Sequence, residues 1–441
     1  QVNLKKGSLM FINRLVFLFI LFFSSFASAD LNIKNWKTPN GTQVYFVENH
    51  SLPIVDVNVM FVAGSVRDSK ETNGTASMTN HLMFSGSAGL DEQELMNSFA
   101  DIGAQVGSNF NRDQSSFSLR TLSEEKSDAI KLFKLVLHKP NFDKEILDRE
   151  AKRYVANIAQ AETMPEAIAT KKFMKSIYGE HPYGLPSSGT IDSINAIKTA
   201  SLKKFYKEYY VANQADIVIV GDVTKEEAET IANDLSSGLP VNKNIKAIPD
   251  VKQVKKQEIR ISHPAKQAHL YYGVPIMKRN DPDFFPLYVG NHILGGSGFG
   301  SRLTYEIREK KGLVYSVYSY FMPLSKKGPF EVALQTSKGQ VDEAMGLIKT
   351  TIQDFINKGP TESELQASKD NITGGFALRF GSNQKIMNYV SMMAFYNYPL
   401  DYLKTYTKKI NAVTVDQIKT AFKKRVDLNE FSTVIVGVDE R

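Results

Sequence analysis

Val55, Val57, Val59 and Phe61 alternate with Asp56 and Asn58, and a period of two marks a strand with one apolar face. The spacing predicts a half-buried strand there, and Ala268–Pro275 supplies its counterpart later in the chain. Ala215–Asp222 contains the unbroken run Ile217-Val218-Ile219-Val220 before Gly221, which reads as a buried strand ending at a turn. Helical periodicity predicts helices over Asp143–Ala161, Asp192–Tyr210, Val341–Asn357 and Thr361–Arg379. Strands followed by runs of helices, without regular alternation, point to an α+β fold.

The pattern also occurs twice. Phe431–Asp439 repeats Ala215–Asp222, and Asn291-His292-Ile293-Leu294 repeats Asn80-His81-Leu82-Met83. The two offsets are nearly equal and each is close to half the chain, which argues for a duplicated domain. Between the copies the periodicity lapses in a lysine-rich stretch around Pro240 and Pro249, which reads as an exposed linker. The expected organisation is residues 30–239 and 257–441 as the two halves, joined by 240–256.

Composition narrows the class. Hydrophobic residues at 42% and charged residues at 23% of 441 suit a soluble protein with a core, and exclude a disordered, collagen-like or multi-span membrane chain. The net charge of +7 is diffuse, with no basic block interleaved with aromatics, so nucleic acid is not an expected partner. The absence of cysteine removes disulfides, thiolate metal sites and thiol nucleophiles. Arg14, the apolar run Leu15–Phe23 and Ala27-Ser28-Ala29 have the form of a secretory signal peptide over residues 1–29, cleaved after Ala29. That run is shorter than the ~20 residues needed to span a bilayer, so no stable membrane anchor is expected. The expected location is a bacterial periplasm.

Three segments carry candidate chemistry. Gly74–Ser87 should be helical from about Ala76, which puts Ser77 and His81 on one face at i and i+4. Ser77 is a poor zinc ligand, Asn80 cannot act as a base, and a lone helical His is ordinarily a packing or hydrogen-bonding residue. Leu294–Leu303 is glycine-rich but matches neither a dinucleotide fingerprint nor a P-loop, and reads as a flexible turn. The charged stretch Arg302–Lys311 should be a helix ending at Gly312, before the aromatic strand Leu313–Phe321. Arg308 and Tyr315 flank that turn and could converge on one carbonyl or carboxylate. Taken singly, Arg308 reads as an ion-pair partner of Glu306 or Glu309, and Tyr315 as a strand aromatic.

Together with Leu52-Pro53, His181-Pro182-Tyr183-Gly184 ahead of Gly189-Thr190, and the repeated Val-Ile-Val-Gly strands, these segments resemble the pitrilysin-type zinc peptidases in their processing-peptidase-like branch. The resemblance covers nearly the whole chain after residue 29. It implies two homologous mixed-sheet-plus-helices domains of the LuxS/processing-peptidase-like metallohydrolase fold, forming a clamshell. The signature of that family is His-x-x-Glu-His with a further Glu downstream as third zinc ligand. Laid on this chain, the first His falls at Ser77, the catalytic Glu at Asn80 and the second His at His81. The distal Glu falls within Tyr154–Gln160, best matched by Asn157. The resemblance therefore implies a degenerate metal site, with no zinc held by this chain.

The Arg and Tyr that bind substrate and stabilise the oxyanion in the family are present as Arg308 and Tyr315. In heterodimeric members, one chain carries zinc and the other carries this pair. The expectation is a non-catalytic, substrate-binding subunit of an exported zinc endopeptidase. Its partner would be a catalytic paralogue with an intact zinc motif, and its substrates unfolded peptides. Two alternatives stay open: a self-sufficient zinc peptidase with a divergent site, and a non-enzymatic chamber or assembly protein.

Overall fold

The computed structural model describes residues 31–439, so the expected signal segment lies outside the described residues. The first half builds a six-stranded sheet from β1 (Ile33–Lys37), β2 (Gln43–Glu48), β3 (Ile54–Phe61), β4 (Gln105–Phe110), β5 (Ser115–Leu122) and β6 (Ala215–Gly221), in the order β1-β2-β6-β3-β5-β4. The second builds a five-stranded sheet from β7 (Glu258–Ser262), β8 (Gln267–Met277), β9 (Val314–Phe321), β10 (Gly328–Ser337) and β11 (Ser432–Val438), in the order β7-β11-β8-β10-β9. Without the edge strand β1 the two orders coincide. In each half the last strand runs parallel to the first of the shared set and antiparallel to the next, β6 beside β2 and β3, β11 beside β7 and β8. The fold is α+β.

Gly221 and Gly437 show why the repeated strands end as they do. Both have positive φ, 138° and 102°. A Cβ would lie 2.1 Å from Ile54 O at Gly221 and 2.5 Å from Gln267 O at Gly437. Each glycine lets its strand close onto the neighbouring strand, which a side chain would prevent.

The half-buried expectation for the Val55 strand is corrected: β3 is covered on both faces. Asp56 is buried and held by Arg120 at 2.8 and 3.1 Å, and Asn58 Nδ2 donates to Ser391 Oγ at 2.9 Å. The second cover is the Asn383–Phe395 helix, which belongs to the other half of the chain and lies against β3 and β6. The exchange is mutual. The first half's Pro165–Tyr178 helix lies on β8 and β11, where Phe173, Ile177 and Tyr178 pack with Tyr271, Ala333, Val434 and Val436.

The halves are also tied by one carboxylate. Asp113, at the β4–β5 turn, accepts from the hydroxyls of Tyr183 and Tyr396 and from Ser325 N. Segment 240–256 has no helix or strand, but it is strapped to the body. Pro240 O accepts from Ala212 N, Lys246 O from Arg67 Nη1 and Pro249 O from His181 Nε2.

Two helices differ from their expected extents. Asp192–Tyr210 is divided into Ile191–Ala196 and Thr199–Tyr209 by extended backbone at Ile197 and Lys198. Buried Ile194 is wedged against Gly74 and Gly189, which fixes the first piece apart from the second. Thr361–Arg379 shortens to Glu362–Gly374, followed after Gly375 by a tighter turn over Ala377–Phe380. Successive glycines there withdraw helix propensity.

Because Phe173 is fully buried in the exchanged contact, Phe173→Ala should cost about 3–5 kcal/mol. Both halves should still unfold in a single transition, followed by circular dichroism in urea. Asp216 gives a pH prediction. Burial pushes its carboxyl up to about 7, against an unfolded value near 3.9. Its contribution to stability is full below the unfolded value and is lost as pH rises through about 7. Asp216→Asn should melt above wild type at pH 8, and the two should converge near pH 4.

Candidate functional site: a degenerate metal motif beside an interdomain cavity

The Gly74–Ser87 segment is helical over Thr75–Leu82. Gly74, at φ 90°, turns the chain into the helix, and the Asp68 carboxylate accepts from Gly74 N at 2.9 Å and Ala76 N at 3.2 Å. Burial pushes the Asp68 carboxyl up to about 7 in spite of those two bonds.

The motif positions that this helix presents are already engaged. Ser77 Oγ lies 3.3 Å from the Tyr154 hydroxyl. Asn80 is buried, and its Nδ2 donates to Ser115 Oγ at 2.6 Å and Asn109 O at 3.3 Å. His81 Nε2 lies 2.9 Å from Glu150 Oε2. Glu150 is itself buried and receives Arg149 Nε at 2.8 Å and Arg153 Nη1 at 3.1 Å. Burial works to raise the Glu150 carboxyl, but hydrogen bonds from His81 and Arg149 overcome it and hold the group below the usual carboxylate range.

Sequence reasoning missed Glu150 and Tyr154. The usable signal was helical spacing: with Asn157 they stand at i, i+4 and i+7 on the Lys144–Ala161 helix, so one face turns all three toward Ser77 and His81. Among the described residues no three His, Cys, Asp or Glu side chains are placed to hold a metal. The donor set does not fit zinc. A hydroxyl and an amide, Ser77 and Asn157, stand at the expected ligand positions and an amide, Asn80, at the expected base position, and the carboxylate nearest His81 is bonded by two guanidinium groups.

Ser77, Tyr154 and Asn157 line one end of a cavity of about 1360 Å³. Its other walls are the Pro165–Met174 turns, the Gly184–Gly189 loop and Arg112 from the first half, with Ile261 and His269 from the second. The cavity therefore lies between the halves.

The second-half candidates sit farther along the same sheet. Gly295 corrects the flexible-turn reading of the glycine run, since a Cβ there would lie 2.3 Å from Ser319 Oγ and 2.8 Å from Leu303 Cδ1. Asn291 pins that contact, bonding the Ser319 hydroxyl at 2.6 Å and the Ser319 carbonyl at 2.9 Å. The expected charged helix is widened to π-helical turns over Thr304–Glu309 and ends at Gly312, φ 63°. Arg308 lies over the exposed Phe299 ring, 4.4 Å from its centre, while Glu306 is taken by Lys310. Tyr315 is 85% exposed on the edge strand β9. It stands in a bulge, where Tyr315 and Ser316 oppose Gln335 alone. Bulges re-aim side chains at strand edges. Gln335 pairs in turn with His269, so Tyr315 is two strands from a cavity-lining residue.

Residues 43–191 match the family model described as Insulinase (Peptidase family M16), and residues 196–372 match Peptidase M16 inactive domain. A crystal structure of a peptidase M16 inactive domain from Pseudomonas fluorescens superimposes with a TM-score of 0.90 at 35% identity, covering 93% of this chain and 98% of that one. The chain belongs to the M16 peptidase family.

Among curated relatives, the non-peptidase homolog YmxG of Helicobacter pylori is 27% identical over 89% of this chain and 91% of its own. The uncharacterized zinc protease YmxG of Bacillus subtilis is 26% identical over 81% and 86%. A Helicobacter pylori protease structure, at 20% identity and a TM-score of 0.83, shares the fold. The names of these relatives divide between a non-peptidase homolog and a zinc protease, and the inactive-domain model covers residues 196–372 of this chain.

The hydrogen bonds of Asn80 make a restored carboxylate costly. In Asn80→Glu an acceptor replaces the donor facing Asn109 O, which should destabilise the protein by about 1–3 kcal/mol at pH 7. Thermal unfolding at pH 7 and pH 4 checks this, with the loss shrinking once the new carboxyl is protonated.

Proposed function

We propose that this M16 chain is the non-catalytic, substrate-binding subunit of an exported heterodimeric zinc endopeptidase acting on unfolded peptides. The observation that carries the reading is an asymmetry. Ser77 and Asn157 stand where the family's site needs imidazole and carboxylate ligands, Asn80 where it needs a carboxylate base, and His81 is committed to Glu150. Meanwhile Arg308 is half-buried over Phe299 on the helical turns before β9, and Tyr315 is exposed on the β9 edge.

A catalytic paralogue would supply the zinc, which polarises the scissile carbonyl and activates water. This chain would supply a guanidinium and a phenol aimed at the substrate carbonyl, and cavity walls that hold the extended peptide. The relative named a non-peptidase homolog agrees with the missing donors. Export rests on the Arg14–Ala29 pattern alone. A self-sufficient zinc peptidase is not favoured by a donor set of one histidine.

Affinity purification of the chain from its native source should bring down a paralogue with an intact His-x-x-Glu-His motif, and the chain alone should leave unfolded peptides uncleaved. In the reconstituted pair, Arg308→Ala and Tyr315→Phe should each lower kcat/KM by about 10²–10³ while sedimentation shows assembly intact. Stoichiometric zinc and chelator-sensitive cleavage in the isolated chain would overturn the reading.

A further inference from the structure

The cavity between the halves contains a guanidinium that the fold does not pair. Arg112 sits at the β4–β5 turn, directly before Asp113, and lines the cavity. The hydrogen bond it makes among the described residues runs from Nε to Tyr183 O, at the long distance of 3.3 Å, and leaves both terminal nitrogens unengaged.

Two carboxylates act on it through space. Asp113 is committed to Tyr183, Tyr396 and Ser325. Glu331 on β10 is driven up to about 7 by burial, and Arg112 offsets that rise only in part. Burial also pulls the Arg112 guanidinium below the usual arginine value, more strongly than its neighbours raise it. The side chain is half-buried in the cavity wall, and an anion there would complete the hydrogen bonding of its terminal nitrogens.

We propose that Arg112 is the anchor for a peptide carboxylate inside the cavity, so that the chain selects peptides presenting either a free C-terminus or an acidic side chain. The inference rests on the peptide-binding reading of the chamber. It adds a chemical class that this reading does not specify. The geometry is suitable: the planar fork receives a carboxylate through two parallel bonds, and lysine cannot reproduce that pairing. Apolar side chains line the same cavity, among them Ile158, Ile168 and Met174, and would take up the neighbouring peptide side chains.

The test is fluorescence anisotropy on the full chain with one labelled, unstructured decapeptide in four forms: free C-terminus with an internal Glu, C-terminal amide, Glu replaced by Gln, and both changes together. Loss of about tenfold or more in affinity on amidation identifies the α-carboxylate, and the same loss on Glu→Gln identifies the side chain. Loss only in the doubly neutral form means that either carboxylate serves. Each result supports the proposal, provided that Arg112→Gln levels the four affinities and Arg112→Lys recovers them only in part. Equal binding of all four forms by the wild type overturns the proposal but leaves the peptide chamber standing. Failure to bind any form overturns both. Should Arg112→Gln not fold, Glu331→Gln carries the test. Removing the nearby competing charge should tighten binding of the carboxylate form at pH 8 and leave the doubly neutral form unchanged, and an equal shift in both overturns the proposal.

Discussion

Each half of this molecule covers its partner's sheet with one of its own helices, and the geometry of the cavity follows from that exchange. Pro165–Tyr178 lies on the second sheet and Asn383–Phe395 on the first, so neither sheet has a free apolar face while both halves are present. The outer faces of β3 and β6 would otherwise present Met60, Val218 and Val220 to water. Burial at roughly 25 cal/mol per Å² of apolar surface makes that exposure prohibitive, so the halves are held as one unit. The cavity is the space left where the exchanged Pro165–Tyr178 helix diverges from the end of the Lys144–Ala161 helix.

Within that frame the first half brings the Thr75–Leu82 helix and the Lys144–Ala161 helix face to face. The first helix enters through a glycine at positive φ with Asp68 at its N-terminus, and the facing helix turns one side toward it. What occupies the meeting point is a hydrogen-bonded set of Ser77, Tyr154, His81 and Glu150, with Arg149 and Arg153 balancing the buried carboxylate. Arg149 and Arg153 neutralise the buried Glu150 carboxylate from the protein's own side chains. The second half shows the opposite emphasis. Gly295 and Asn291 fix the chain rigidly to β9, and the bulge beyond leaves Tyr315 exposed at the edge.

Much of this was legible in the sequence. The paired Val-Ile-Val-Gly strands and the paired Asn-His segments marked the duplication, and the strand orders repeat it residue for residue at Gly221 and Gly437. Ser77, Asn80 and Asn157 were legible as residue types, a hydroxyl and two amides, but what each one bonds was not. Less visible were Glu150 and Arg112. One sits a helix away from the motif and the other on a turn. Their environments come from packing between elements distant in sequence.

The sequence by itself determined the duplicated α+β architecture and the absence of thiol chemistry, since periodicity and side-chain chemistry are local properties. Only the tertiary structure decided that β3 is buried on both faces, that His81 spends its ring nitrogen on Glu150, and that Arg112 opens into a cavity shared by both halves. The physical reason is that burial and pairing are set by what lies across from a residue. Here the opposite wall comes from the other half of the chain.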